Sequence, residues 1–269
     1  MSQENRIDRR FADLSADSKA AFVAYFCAGD PGMEQSLEIM RALERAGVDI
    51  IELGIPFSDP MADGIVNQMA AHRALQAGGS TRGVLELIGR FREASETPVV
   101  LFTYLNPVYA YGFEKFHKDF AAAGADGILL LDLPPDEAVR NEEFAESNPL
   151  KQIRLIAPTT PADRVPRLAK ASEGFIYYVS REGVTGAQTT LAEGIGKNVA
   201  AIKRHTDVPV VVGFGISTPE QSAEVAKSAD GVVVGSAIVR QIEKWGDSDE
   251  VAARVEAFVK PLVDAAKSV

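Results

Sequence analysis

Eight short apolar runs recur along the chain, and between them lie segments whose apolar residues have helical spacing. The runs are continuously apolar rather than alternating, which is typical of parallel strands that helices cover. Strands that alternate with helices predict right-handed βαβ units, and eight such units predict a closed (β/α)8 barrel. The predicted strands are Phe22–Cys27, Val48–Leu53, Pro98–Thr103, Gly127–Asp132, Ile153–Ala157, Gly174–Val179, Pro209–Gly213 and Gly231–Gly235.

The segments between and beyond these strands predict amphipathic helices, and Arg6–Leu14 predicts one more before the first strand. No low-complexity run or linker interrupts the series, so we predict one domain over residues 1–269. The expected fold class is α/β, as a single TIM barrel with an extra N-terminal helix. The other predicted helices are Met33–Ala46, Thr81–Glu93, Phe113–Ala123, Asp136–Ser147, Asp163–Ala171, Leu191–Arg204, Pro219–Ser228, Ala237–Lys244 and Glu250–Lys267.

Three connections from a helix to the next strand share a pattern of small residues, glycine and aspartate. Glycine and small residues end a helix, and aspartate favours the turn into the strand. Because these connections precede strands, we expect them at the amino-terminal face of the barrel, where residues serve stability rather than catalysis. The three segments are Ala46-Gly47-Val48-Asp49, Ala123-Gly124-Ala125-Asp126 and Ser228-Ala229-Asp230-Gly231.

Charge and hydropathy exclude several classes of partner. The formal net charge is -10 and no cluster of Lys and Arg occurs, which argues against nucleic-acid binding. There is no stretch of about 18 apolar residues and no targeting segment, so we expect no membrane contact and a cytoplasmic location. An anionic substrate is still compatible with this charge, because backbone N–H groups bind phosphate without charged side chains.

The chemistry of the chain is expected to come from carboxyl groups. The single cysteine, Cys27, lies in an apolar run and is expected to be an inert core residue. The three histidines, His72, His117 and His205, lie away from the loops that follow the predicted strands and are expected to be solvated. The sequence therefore shows no histidine-based triad, and we predict no metal site.

An acidic segment follows the second predicted strand. Glu52 ends that strand, and Asp59 and Asp63 follow on the loop. Pro56 and Pro60 stiffen the loop, because proline fixes one backbone angle and removes a hydrogen-bond donor. A carboxylate at the carboxyl end of a barrel strand, with a second on the next loop, suits an acid/base pair. The alternative interpretation is a surface loop with ordinary acids.

The loops after the last two predicted strands are rich in glycine. Gly215 follows the seventh strand, and Gly235 and Ser236 follow the eighth. Glycine lets backbone N–H groups approach an anion, and the start of the next helix adds its dipole. Phosphate sites of barrel enzymes lie in these loops, so we predict one here. The alternative is that these are ordinary turn glycines.

Two further features surround the predicted acids. The loop Ser180–Gly194 contains Gly183 and Gly186, which suit a lid that closes over a substrate, although a plain mobile loop would look the same. Five strand residues near the carboxyl ends fit ordinary barrel packing one by one, and together they suit an apolar, partly aromatic pocket. These residues are Tyr25, Phe102, Leu129, Tyr177 and Val233.

Four motifs together resemble the α subunit of tryptophan synthase over nearly the whole chain. The resemblance implies cleavage of indole-3-glycerol phosphate to indole and glyceraldehyde 3-phosphate, a retro-aldol lyase reaction of L-tryptophan biosynthesis without a cofactor in this chain. It also implies a β subunit that holds pyridoxal phosphate and receives the indole through a tunnel, in an α2β2 heterotetramer. The motifs are the very specific Glu52-Leu53-Gly54-Ile55-Pro56-Phe57-Ser58-Asp59-Pro60-Met61-Ala62-Asp63-Gly64, and Gly29-Asp30-Pro31-Gly32, Ser180-Arg181-Glu182-Gly183-Val184-Thr185-Gly186 and Gly213-Phe214-Gly215-Ile216-Ser217.

The resemblance also implies roles for individual residues. Glu52 matches the family's acid/base on the glycerol side, and Asp63 matches the acid that handles the indole N–H. The chain departs from the family after Gly64, where the family usually reads Gly-Pro and this chain has Ile65-Val66-Asn67. Phosphate contacts are matched by Gly186, Gly215, Gly235 and Ser236, and the indole pocket by Tyr25, Phe102, Leu129, Tyr177, Thr185 and Val233.

Two other classes of protein stay open from the residues. One is a different phosphate-binding barrel, such as a sugar-phosphate isomerase or a flavin-mononucleotide enzyme, which a yellow colour of the pure protein would reveal. The other is a non-catalytic subunit that binds the substrate and only regulates a partner. The presence of both Glu52 and Asp63 argues against this second class.

Overall fold

Eight parallel strands close into a barrel, in which each strand pairs with the next along the chain and the last pairs with the first. The computed structural model describes residues 5–134, 150–180, 188–213 and 215–269, with the backbone alone at residues 188–193. The predicted (β/α)8 barrel and all eight of its strands are therefore confirmed. The strands are β1 Ala21–Cys27, β2 Ile50–Gly54, β3 Val99–Thr103, β4 Gly127–Leu130, β5 Lys151–Ile156, β6 Ile176–Val179, β7 Val210–Gly213 and β8 Gly231–Val234.

Helices follow the strands and cover the outside of the barrel, and the predicted N-terminal helix is present. The predicted helix Asp136–Ser147 lies outside the described residues. None of the helices in the described ranges has the length and apolar character needed to span a membrane. The helices are α1 Arg6–Ala16, α2 Met33–Arg45, α3 Ile65–Gln76, α4 Thr81–Arg92, α5 Leu105–Tyr111, α6 Phe113–Ala123, α7 Val165–Lys170, α8 Gln188–Lys203, α9 Pro219–Ala226, α10 Ser236–Trp245 and α11 Val251–Ala266.

Two helices, α3 and α5, occur where the sequence predicts none. The buried residues of α3 are all alanines, which give too weak an apolar stripe to reveal a helix. The short α5 has Pro107 in its first turn, where proline is tolerated. Of the predicted lid segment Ser180–Gly194, residues 188–194 belong to α8, and residues 181–187 lie outside the described residues, so the lid stays a prediction.

The first helix closes the bottom of the barrel. Ile7, Phe11 and Leu14 of α1 are buried against side chains that point into the barrel, and the rings of Phe11 and Phe175 lie 6.0 Å apart. Side chains alternate along a strand, so the residue two positions after an inward one also faces the interior, nearer the carboxyl end. The lower inward side chains include Val23, Ile50, Val100, Ile153 and Val211.

The three predicted aspartates each join the start of two neighbouring strands. Each carboxylate accepts a hydrogen bond from a backbone N–H of the preceding strand, and each aspartate N–H donates to the carbonyl of that same residue. The repeated pattern in the sequence is therefore a repeated structural device of the amino-terminal face, as expected. The pairs are Asp49 with Phe22 at 2.7 Å, Asp126 with Val99 at 2.8 Å and Asp230 with Val210 at 2.7 Å.

Cations compensate the charge of these aspartates. Asp126 is buried and pairs with Arg92 at 2.7 Å and with Arg6 at 3.0 Å. The Arg92 side chain is itself only 9% exposed. If one partner of a buried ion pair is removed, the other charge is left without compensation, which is strongly destabilising. The bottom of the barrel therefore depends on Asp126 for both a strand connection and charge balance.

The substitution Asp126→Ala is expected to lower the free energy of unfolding by about 3–5 kcal/mol, because it leaves Arg92 buried and unpaired. Urea unfolding of both proteins measures the difference. A matched control is Asp264→Ala, which removes an exposed partner of Lys260 and should cost less than about 1 kcal/mol. Equal losses in the two variants would contradict the assigned role of Asp126.

Candidate active site

A cavity of about 400 Å³ opens at the carboxyl ends of the strands. Its walls come from the ends of β1, β3, β6, β7 and β8 and from the starts of α3 and α10. Active sites of (β/α)8 barrels form at this face. Seven of the residues predicted for the site line the cavity, namely Tyr25, Phe102, Tyr177, Gly215, Val233, Gly235 and Ser236.

Aromatic side chains form much of the cavity wall, and glycines make room for them. The Tyr25 ring packs edge-on against Phe102, with centroids 4.7 Å apart. A Cβ atom at Gly54 would lie 2.9 Å from the Tyr25 hydroxyl, and one at Gly213 would overlap the Tyr177 hydroxyl. These strand-end glycines are therefore required for the two tyrosines to lie across the cavity.

Glu52 lies inside the barrel, two residues after the inward-facing Ile50 on β2. It is fully buried, and neither of its carboxyl oxygens has a hydrogen-bond partner among the described residues. Burial raises the pKa of Glu52 from its ordinary 4.5 to about 8, because the charged form loses its hydration. Such a carboxyl group is protonated at neutral pH and is suited to donate a proton.

Asp63 is held by side chains on both sides of its loop. The Tyr104 hydroxyl donates to Oδ2 at 2.8 Å and accepts from the N–H of Ala62 at 3.0 Å. The Asn67 amide donates to Oδ1 at 3.5 Å. Burial raises the pKa of Asp63, and these two hydrogen bonds oppose that shift. The sequence does not single out Tyr104 or Asn67, and the one signal for Tyr104 is its place directly after β3.

Both acids lie close to the same two tyrosines. Burial is the main cause that raises the pKa of Tyr25 and of Tyr177, and the charges of Glu52 and Asp63 both add to it. The two carboxyl groups therefore act electrostatically on the same two tyrosines of the cavity wall, from different elements. Neither acid is itself among the residues that line the cavity: Glu52 is buried inside the barrel, and Asp63 lies on the loop after β2.

An ion pair fixes the helix that follows Asp63. Arg73 of α3 donates to both carboxylate oxygens of the buried Asp30, at 3.0 and 2.8 Å. The same guanidinium pairs with Glu243 of α10 at 3.0 Å. A bidentate pair restricts both distance and orientation. Arg73 thus joins the loop after β1, the helix after the acid loop and α10, and both carboxylate oxygens of Asp30 are held by this ion pair.

The start of α10 faces the cavity. Gly235 is the N-cap and Ser236 the first helical residue, and the N–H groups of a first helical turn have no partner within the helix. Gly215 has a φ of 60°, and nothing lies within 4 Å of the position of its Cβ. Arg240, which the sequence does not single out, also lines the cavity. Free N–H groups, a helix dipole and a guanidinium suit an anion.

Three predicted substrate residues do not line the cavity. Leu129 is fully buried and packs behind Phe102 and Tyr177, so it supports the aromatic wall. Thr185 and Gly186 lie outside the described residues. Their predicted contacts with the indole and the phosphate stay predictions.

The prediction that all three histidines are solvated is wrong for His117. His117 is buried on α6 between Phe113 and Phe116, and its Nδ1 lies 2.8 Å from the Phe113 carbonyl oxygen. Burial lowers its pKa. It follows Phe113 by one helical turn and so shares its face. His72 and His205 are exposed. Within the described ranges, no group of three or more His, Cys, Asp or Glu is arranged to hold a metal ion.

The fold and the site together place this chain among the (β/α)8-barrel enzymes. Its two candidate acids lie toward the carboxyl ends of the strands, where the active sites of such enzymes form. The family model described as tryptophan synthase alpha chain matches residues 11–267. The chain belongs to this family, and the resemblance expected from the motifs is confirmed.

Individual relatives agree with this assignment. A tryptophan synthase alpha chain of Opitutus terrae is 48% identical over 98% of this chain and 99% of its own length. The tryptophan synthase alpha chain of Citrifermentans bemidjiense is 46% identical over 96% of this chain and 96% of its own length. The crystal structure of tryptophan synthase subunit alpha from Legionella pneumophila superposes with a TM-score of 0.90 at 38% identity, over 98% of each chain. A chain in a crystal structure of tryptophan synthase from M. tuberculosis superposes with a TM-score of 0.87 at 34% identity, over 98% of this chain and 99% of that chain.

The substitution Glu52→Gln is expected to change how stability depends on pH. Because folding raises the pKa of Glu52 from 4.5 to about 8, its stabilising contribution is fully present below pH 4.5 and is lost as the pH rises toward 8. Glutamine has no proton to lose, so the variant should become more stable than the wild type with rising pH, by about 4 kcal/mol at about pH 8.

Urea unfolding at about pH 5 and about pH 8 measures this difference. The matched control is Glu86→Gln at an exposed position of α4, which should leave the pH dependence of the wild type unchanged. If wild type and Glu52→Gln lose or gain stability in parallel across this range, Glu52 does not have the raised pKa.

Proposed function

We propose that this chain cleaves indole-3-glycerol phosphate to indole and glyceraldehyde 3-phosphate, a carbon–carbon lyase reaction of L-tryptophan biosynthesis. The observation that carries the proposal is the buried carboxyl group of Glu52, which has no hydrogen-bond partner among the described residues and whose pKa is raised to about 8, inside the barrel beneath an aromatic cavity. Membership of the tryptophan synthase alpha chain family supports the same reaction.

The cavity offers a suitable surface to each part of this substrate. The rings of Tyr25, Phe102 and Tyr177 suit a flat aromatic ring, which they can contact by stacking or by their edges. Gly235 and Ser236 at the start of α10 suit the phosphate. The volume of about 400 Å³ is in the range of small-molecule sites. Arg240 adds a positive charge on the phosphate side.

The proposed reaction begins with a proton on Glu52. Protonated Glu52 gives this proton to C3 of the indole, which interrupts the aromatic system and puts positive charge on the ring. Asp63 stabilises that charge at the ring N–H. The carboxylate now present on Glu52 takes the proton of the side-chain hydroxyl, the C3–carbon bond breaks, and its electron pair restores the aromatic ring while the aldehyde forms. Each proton-transfer role is typically worth about 10²–10⁴-fold in rate.

The assignment of both acids can be tested by indole release. Glu52→Gln and Asp63→Asn are each expected to lower turnover at least about 100-fold, because each removes a proton-transfer or charge-stabilising group. The assay measures indole formed by the purified chain, with and without a β subunit. The matched control Asp59→Asn changes an exposed acid of the same loop and should retain most basal turnover. Near-normal turnover of either acid variant would remove that residue from the mechanism.

The same proposal includes a partner that receives the indole. The exposed large apolar side chains of the described residues include Met61, Ile65 and Met69, which lie on the acid loop and α3, and Tyr109 on α5. Such exposure close to an active site is typical of an interaction surface. We propose that a β subunit holding pyridoxal phosphate docks here in an α2β2 heterotetramer. No cofactor is assigned to this chain.

The docking surface can be tested separately from the chemistry. Met61, which is 90% exposed, follows the exposed Asp59 on the acid loop. Met61→Ser and Asp59→Ala are expected to raise the β-subunit concentration needed for half-maximal stimulation by at least about 5-fold, while basal turnover stays within about 2-fold. Leu75→Ser, at the far end of α3, is the matched control and should change neither value. Equal loss of basal and stimulated rates would make this loop a catalytic support instead.

A further inference from the structure

The side chain of Asn67 carries a buried acceptor that has no hydrogen-bond partner among the described residues. Asn67 lies in the first turn of α3 and lines the cavity. In the described part of the chain, three buried side-chain oxygens lack a hydrogen-bond partner, namely the two of Glu52 and Oδ1 of Asn67. All three belong to this one site. Buried polar atoms are nearly always hydrogen-bonded, so unpaired ones at a cavity indicate atoms that a ligand completes.

The neighbouring amides of Gln68 and Asn67 contact different atoms of Asp63. Gln68 donates from Nε2 to the backbone carbonyl of Asp63 at 2.8 Å, which holds the loop onto α3. Asn67 contacts the carboxylate of Asp63 instead, through a long bond of 3.5 Å from Nδ2 to Oδ1. This contact directs the amide nitrogen toward Asp63, because an oxygen there would repel the carboxylate. The amide oxygen is then left for another donor.

We propose that Asn67 Oδ1 accepts a hydrogen bond from the ring N–H of the substrate, which it shares with the carboxylate of Asp63. This assignment rests on the proposed lyase function and adds a substrate-binding residue to it. When C3 is protonated, positive charge spreads to the ring nitrogen, and the oxygen end of a neutral amide dipole stabilises it. A second carboxylate in this position would instead disfavour the ionised form of Asp63.

The start of α3 presents two different side chains to the cavity. The segment after Gly64 reads Ile65-Val66-Asn67. Here α3 begins directly after its N-cap Gly64, and Val66 and Asn67 both line the cavity. Val66 is apolar and Asn67 is polar. Substitutions at these two positions therefore compare the loss of an apolar contact with the loss of a hydrogen bond on the same helical turn.

The test compares two ligands and three proteins by isothermal titration calorimetry. One ligand is an indole 3-alkyl phosphate without side-chain hydroxyls, and the other is its benzothiophene counterpart, in which sulfur replaces the N–H. Asn67→Leu is expected to weaken binding of the indole ligand by about 3- to 10-fold, the usual effect of one neutral hydrogen bond, and to leave the benzothiophene ligand within about 2-fold. Val66→Ala is expected to weaken both ligands by the same factor.

Each outcome decides the assignment once an effect through Asp63, which Asn67 also contacts, is separated from it. Asn67→Leu made in an Asp63→Asn background must retain the selective loss; if the selectivity disappears there, Asn67 acts only by positioning Asp63. If Asn67→Leu weakens both ligands equally, or neither, the hydrogen bond to the N–H does not exist. Asn67→Ala, which adds no bulk, must reproduce the selective loss, so a steric effect of leucine cannot imitate it. If the wild type binds neither ligand, the proposed function itself fails. If it binds both and only the selectivity of the Asn67 variants is missing, the proposed function stands and the role of Asn67 is refuted.

Discussion

The desolvation of one carboxyl group governs the architecture of this site. Glu52 lies where a barrel strand would ordinarily carry an apolar side chain, and no described residue hydrogen-bonds to it. A buried polar group of this kind is tolerated only if the rest of the fold is stable enough to hold it. The stabilising groups lie at the opposite face, where α1 fills the barrel and aspartates such as Asp126 join adjacent strands. Stability and chemistry are thus separated along the barrel axis.

Much of the fold could be predicted, because continuous apolar strands and amphipathic helices are local signals. The position of Glu52 near the active face could be predicted for the same reason, since the end of a barrel strand marks that face. The helix α3 could not be predicted, because its buried alanines leave no apolar stripe. The hydrogen-bond partners of Asp63 could not be predicted either. Tyr104 comes from the next βα loop and Asn67 from the unpredicted α3, and contacts between separate loops leave no periodic pattern in a sequence.

The arrangement of Arg73 connects the two ends of the proposed substrate site. Its guanidinium contacts Asp30, which follows β1, and Glu243, which lies on α10, the helix that begins at the proposed anion-binding end. Arg73 itself lies on α3, the helix that follows Asp63. A rigid bidentate contact transmits position better than a flexible single bond. If docking of a partner shifted α3, α10 would therefore shift with it, because Arg73 of α3 is paired with Glu243 of α10.

The helix that fills the bottom of the barrel also constrains the order of folding. Its side chains contact residues far along the chain: Ile7 lies beside Gly127 and Gly174, and Phe11 packs on Phe175. Contacts of such large sequence separation form late, because a long loop must close first. During synthesis α1 emerges well before its binding site exists, so its apolar face is exposed until the sixth strand has been made. An apolar face that stays exposed for this long makes the growing chain prone to aggregation until α1 can dock.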